Sequence, residues 1–144
     1  MFMKFLWVFF IALGFGITQI KGQTAIQLEV TGISSKQGEI LVALFSGEKG
    51  FPGDATKAFK KAKAVPVNGK AILNFYQIPE GKYAIVLFHD TNHDGILNKN
   101  FLGIPKEGYG VSNNVRNLFS APGFEESSFK HGKSTTRISI TVKY

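Results

Sequence analysis

The sequence predicts an all-β protein: a single antiparallel β-sandwich of about seven strands, with one short helix and a long loop after the fourth main strand. Three observations predict it. The strongest segments place apolar residues at every second position, the period of a half-buried strand. Gly, Pro, Asn and Ser turns separate these segments at short intervals, as in sandwiches rather than in alternating helix–strand folds. A single stretch departs from the period of two.

The first strand is TAIQLEVTG, where Ile26, Leu28 and Val30 share one face and Gln27, Glu29 and Thr31 the other. ISSKQG supplies a turn. EILVALF follows and is apolar on both faces, as a central strand covered on both sides would be. The exception is DATKAFKKAK: Asp54 suits an N-cap, Ala55, Ala58, Phe59 and Ala62 recur at helical spacing, and Pro66 ends the run. A helix of two to three turns is expected there, lying against an edge of the sandwich. Short strands are expected near residues 64–67 and 125–130. KAILNFYQI and KYAIVLFHD are the third and fourth main strands, and TRISITVKY is the last. Between those two main strands, IPEGKY carries Pro79 and Gly81 at the second and fourth positions of a β-turn. An apolar strand, this turn and then Tyr83 resemble transthyretin-like and carboxypeptidase-regulatory-like sandwiches. No internal repeat or linker divides the chain, so one domain over residues 23–144 is expected.

Residues 1–22 read as a secretory signal peptide: a positive charge at Lys4, an apolar run over residues 5–15, then small and polar residues. The run is broken by Gly14 and Gly16 and falls short of the ~20 apolar residues of a bilayer span, which disfavours an uncleaved anchor. Cleavage after Gly22 leaves Gln23 first. The expected location is therefore the periplasm or the exterior. The chain has no cysteine, so neither a disulfide nor a lipoprotein anchor is available, and the core or a bound ion must hold the domain. No stable membrane anchor is expected after cleavage.

The formal charge of +7 falls to +5 without Lys4 and Lys21, and Lys57, Lys60, Lys61 and Lys63 crowd into KAFKKAKA. Such a patch attracts anionic glycans, lipid headgroups or nucleic acid, although a lysine run is most often a solvated face; an anionic glycan, peptide or envelope component is the expected partner. Nucleic acid is not an expected partner of an exported chain.

The segment HDTNHDGILN raises a chemical question. Counted from Asp90, it reads D-x-N-x-D-G-x-x-N, placing Asp90, Asn92, Asp94 and Asn98 at ligand positions of a calcium loop. Calcium prefers six to eight oxygens, and Gly95 allows the bend that brings the Ile96 carbonyl to the ion. At the twelfth position, where a bidentate Glu belongs, stands Phe101. Asn100, Glu107 or water would have to complete the shell, so the expected affinity is weak, on the order of 10⁻⁴–10⁻³ M. The competing reading is a plain turn, because Asp, Asn and Gly bend loops through their own backbone. A transition-metal site or metal-dependent enzyme using His89 and His93 is the least favoured alternative. The two are four residues apart but not on a helix, and His131 would have to join them.

NFLGIPKEGYGVSNN is long for a connection in a compact domain. Packing of Phe101, Leu102, Ile104, Tyr109 and Val111 onto the sandwich is the first expectation. A ligand-binding loop of Lys106, Glu107, Tyr109, Ser112, Asn113 and Asn114 is the second.

HDTNHDGILNKNFLGIPKEGYGVSNN, with PGFEESSFK and the final ITVKY, resembles the DUF2141 family of exported bacterial proteins over nearly all of residues 23–144. PGFEESSF departs mildly from that family's Pro-Ser-Phe-Glu-Asp-Ala, outside the acidic loop. The family carries no assigned reaction, so the resemblance implies a transthyretin-like or immunoglobulin-like β-sandwich and export, but no chemistry. With no nucleophile elbow, phosphate loop or zincin helix in the sequence, a non-catalytic binding or accessory module is expected. A structural cell-envelope protein is the alternative.

Overall fold

The computed structural model of the chain describes residues 24–144. The expected signal peptide and its cleavage bond lie outside the described residues. The chain forms two sheets. β1 (Ala25–Thr31), β4 (Ala71–Tyr76) and β8 (Thr136–Thr141) make the smaller, in the order β4-β1-β8. The larger contains β2 (Glu39–Phe45), β3 (Lys60–Ala64), β5 (Gly81–Asp90), β6 (Tyr109–Val111) and β7 (Phe129–His131). Its order is β3-β2-β5-β6, and β7 pairs with the first half of β5 while β6 pairs with the second. This is the expected all-β sandwich, with eight strands.

The core follows from the alternation. Ile26, Leu28 and Val30 of β1 meet Ile40, Val42 and Leu44 of β2 and Ile85 and Leu87 of β5 between the sheets. A buried Leu or Ile contributes about 1.5–3 kcal/mol. β2 is apolar on its other face too, because Ala43 and Phe45 lie under Phe51 and Phe124 in a second cluster. The Phe45 and Phe51 rings meet edge to face with centroids 5.3 Å apart.

The structure corrects the sequence reading in three places. DATKAFKKAK is not a helix of two to three turns. Asp54 caps one 3₁₀ turn, Ala55–Lys57, by accepting from the Thr56 N–H at 3.0 Å, and β3 then pairs along β2. Ala62 and Ala64 pack against the core while Lys61 and Lys63 point outward. An open edge of β2 supplies more hydrogen bonds than an isolated short helix can sustain. The lysines then serve as charged guards on a sheet edge. The short α-helix is instead α1 (Phe124–Ser127), where part of a strand was expected, and β7 begins just after it. Finally, the sheets are not antiparallel throughout: β1 and β8 run parallel, with Leu28 opposite Ile138. Side-chain alternation carries no information on strand direction, and no hairpin links these first and last strands.

Both neighbours of β2 meet Ile40, through Ala64 of β3 and His89 of β5. The turn after β3 and the loop after β5 therefore leave the sandwich at the same end. The turn between β1 and β2 is at that end as well, where Gly38 (φ +79) lies so close to β5 that a Cβ would sit 2.2 Å from the Asp90 carbonyl oxygen. Gly38→Ala is expected to lower stability by about 2 kcal/mol or more, from left-handed strain and the backbone clash together. Urea denaturation checks this, and an unchanged midpoint would contradict the close approach.

Candidate functional site

β5 ends on two buried residues facing opposite sides of its sheet. His89 closes the end of the inter-sheet core. Its Nε2 donates to the Gln37 carbonyl at 2.7 Å, and its Nδ1 shares a hydrogen bond with the Tyr144 hydroxyl, also at 2.7 Å. Tyr144 Oη in turn accepts from the Ser34 N–H. The chain end is thereby fastened to the β1–β2 turn, and both imidazole nitrogens are engaged. His131 is likewise engaged, by Thr136 Oγ1 and the Ile78 carbonyl. His93 sits exposed in the acidic loop with φ +59. The structure does not gather the three histidines around one point.

Asp90 is on the other face and is 1% exposed. Its Oδ2 accepts from the Gly95 N–H at 2.8 Å and its Oδ1 from the Asp94 N–H at 3.2 Å. One carboxylate thus folds the loop back over itself. Asp94 Oδ1 accepts from the Ile96 N–H, and its Oδ2 receives the side-chain amides of Asn92 and Asn98 at 3.0 and 2.9 Å. Asn92 also donates to Asn98 Oδ1 at 3.1 Å. The hydrogen bonds from Ile96 N–H and the Asn98 amide hold the Asp94 carboxyl below its ordinary 3.8, so it is ionised at neutral pH. Asn92, Asp94 and Asn98 are thus bonded to one another, while Asp90 holds the backbone of Asp94 and Gly95.

Glu107 does something the spacing does not suggest. It is buried, and its Oε1 accepts from the Thr91 N–H and hydroxyl while Oε2 accepts from the Asn98 N–H. It clamps the two ends of the turn formed by residues 92–97. Asn100, the other expected additional ligand, uses its side-chain oxygen on the N–H groups of Leu102 and Ile104. Sequence reasoning missed this clamp because it joins residues 16 apart through a side chain with no periodic signature.

The expected ligand-binding loop becomes part of the fold. Tyr109 begins β6 and pairs through its backbone with both Phe88 and Lys143, stitching the two sheets together. Ser112 is fully buried, donates to the Ser127 carbonyl and accepts from the Ile85 N–H. Asn113 donates to the carbonyls of Glu126 and Ser128, and Asn114 holds Ser139 and Thr141 of β8. Lys106 stays exposed. Of the apolar residues expected to pack, Val111 does and Tyr109 is half-buried. Phe101, Leu102 and Ile104 do not, at 95%, 68% and 55% exposure.

The family model described as an uncharacterized protein conserved in bacteria, DUF2141, matches residues 28–139, from β1 into β8 and across the whole acidic loop. The chain belongs to the DUF2141 family. Neither the curated proteins nor the solved structures provide a significant match. The family match includes Asp90, Asn92, Asp94, Asn98 and Glu107 and assigns none of them a role.

Among the described residues, no Lys, Arg or His nitrogen lies within 4.0 Å of the carboxylates of Asp90, Asp94 or Glu107. The ion pairs involve Glu39, Glu29 and Glu125 instead. Glu107→Ala is expected to lower stability by about 2–4 kcal/mol, because two loop N–H groups and the Thr91 hydroxyl lose their acceptor. Exposed Glu80→Ala should change it by less than about 0.5 kcal/mol. Equal effects in denaturant titrations would contradict the clamp.

Proposed function

We propose that this is an exported, non-catalytic binding or accessory module with a weak calcium loop at residues 90–98. The observation that carries the reading is the hydrogen-bonded cluster of Asn92, Asp94 and Asn98 next to the buried Asp90 and Glu107, with no ion-pair partner for these carboxyl groups among the described residues. Donors that are all oxygen suit a hard cation such as calcium better than zinc or copper. The Asn92 and Asn98 amides now donate to Asp94, but a half-turn of a carboxamide exchanges its N–H₂ for an acceptor oxygen. Calcium there would neutralise Asp94 and stiffen the loop. On this reading Asp90, Asn92, Asp94, Asn98 and the Ile96 carbonyl are the protein ligands, with water completing the shell, and Asp90 would take the ion beside the two backbone N–H groups it already accepts from.

Support for a non-catalytic role comes from the histidines. His89 and His131 have both nitrogens engaged, and His93 lacks a neighbouring acid or base in hydrogen-bond contact among the described residues. The working surface on this reading is the loop end, facing an anionic glycan, peptide or envelope component. A second reading, a structural envelope protein whose acidic loop is only a turn, is favoured by one observation: Asp90 already satisfies two backbone N–H groups without any ion.

Thermal melts of residues 23–144 separate the two. With a dissociation constant near 1 mM, about 10 mM calcium adds roughly 1.4 kcal/mol and raises the melting temperature by about 5 °C. The rise should be calcium-specific, reversed by chelation, and lost in Asp94→Ala. Absence of a rise in the unmodified sequence returns the loop to a plain turn.

A further inference from the structure

The loop after β5 carries a second turn beyond the acidic one. Asn98 and Lys106 pair through the Lys106 N–H and the Asn98 carbonyl at 2.8 Å, and Lys99 bridges Pro105. Within this small hairpin, the Asn100 N–H bonds the Ile104 carbonyl, and the Gly103 N–H bonds the Asn100 carbonyl, both at 2.9 Å. The Asn100 side-chain oxygen takes the N–H groups of Leu102 and Ile104. Gly103 supplies the left-handed residue the turn requires, at φ +78. The shape is therefore fixed by its own hydrogen bonds, and it holds Phe101 and Leu102 outward, with Ile104 beside them and Ile96 exposed on the adjoining turn.

Two features select what such a tip enters. The N–H groups of Leu102, Gly103 and Ile104 are satisfied inside the turn, so entering a water-poor layer strands none of these donors. Within the hairpin itself, residues 98–106, the charged side chains are Lys99 and Lys106, both exposed. Asp90 and Glu107 are buried and Asp94 is the one exposed carboxylate between residues 90 and 114, whereas Lys99 and Lys106 are exposed on the two arms of the hairpin. Lys36 and Lys143 are exposed on segments at the same end of the sandwich. Exposed apolar residues flanked by two lysines complement an anionic lipid surface: rings and aliphatic chains sit at the headgroup–acyl boundary while long lysine chains reach the phosphates.

We propose that the hairpin over residues 98–106 is a membrane-surface anchor, with Phe101 and Leu102 inserting into the interface of an anionic bilayer and Lys99 and Lys106 contacting headgroup phosphates. This goes beyond the cation loop and does not rest on it.

Residues 23–144 contain every member of the core between Ile26 and Val142, so this part serves for the test. It is sedimented, in the presence of a chelator, with phosphatidylcholine vesicles with and without phosphatidylglycerol. The expected result is binding to the phosphatidylglycerol vesicles, weakened by high salt, and reduced roughly tenfold or more in F101S/L102S. The melting temperature of that variant should not change, because both side chains are exposed. Failure of the unmodified sequence to bind the anionic vesicles would overturn the proposal and leave the tip to an apolar pocket on a protein. Unaltered binding by F101S/L102S would also overturn it and assign lipid attraction to lysines elsewhere, such as those of β3.

Discussion

Two buried carboxylates at the end of β5 organise everything beyond it. Asp90 gathers the N–H groups of Asp94 and Gly95, and Glu107 gathers those of Thr91 and Asn98. Loop backbone so close to a core would otherwise carry donors with no partner, each costing about 1–3 kcal/mol. The acidic turn is held at both ends by Glu107 and pulled inward by Asp90. Only then does the next hairpin start, from Asn98, in a fixed direction. Among the described residues, neither of these carboxyl groups, nor that of Asp94, has a Lys, Arg or His nitrogen within 4.0 Å.

The scaffold beneath makes that placement rigid. β5 is the longest strand among the described residues, and it is flanked by β2 on one side and by β6 and β7 in succession on the other. His89, inside the sandwich, ties the strand end to Gln37 and to the chain's last residue, Tyr144. Loop position is thus set by hydrogen bonds from three separate parts of the sequence. Rigid support of this kind is what lets a surface loop present side chains with a defined geometry.

Much of this was legible in the sequence because the physics is local. Apolar alternation identifies β1, β4 and β8, and two-sided apolarity identifies β2 as central. Asp, Asn and Gly at alternate positions announce the acidic turn whatever it binds. What escaped depends on partners distant in the chain. The spacing of Ala58, Phe59 and Ala62 suits a helix as well as a turn followed by a strand, and only the open edge of β2 decides between them. Glu107 was legible as an acid near the loop but not as its clamp. Phe101, Leu102 and Ile104 read as packing residues because the backbone of a long loop must find partners, and packing onto the sandwich supplies them. Their exposure follows from the Asn100 turn, which no periodicity records.

The central claim is that residues 90–98 form a cation loop built on this clamp. Its most direct test is a calcium titration of ¹⁵N-labelled residues 23–144 followed by amide resonances. The amides of Gly95, Ile96 and their neighbours should move together and saturate with a dissociation constant on the order of 10⁻⁴–10⁻³ M, while β1 and β8 stay still. Resonances of the loop that remain fixed up to about 10 mM calcium would contradict the claim and leave the buried carboxylates as turn-forming groups alone.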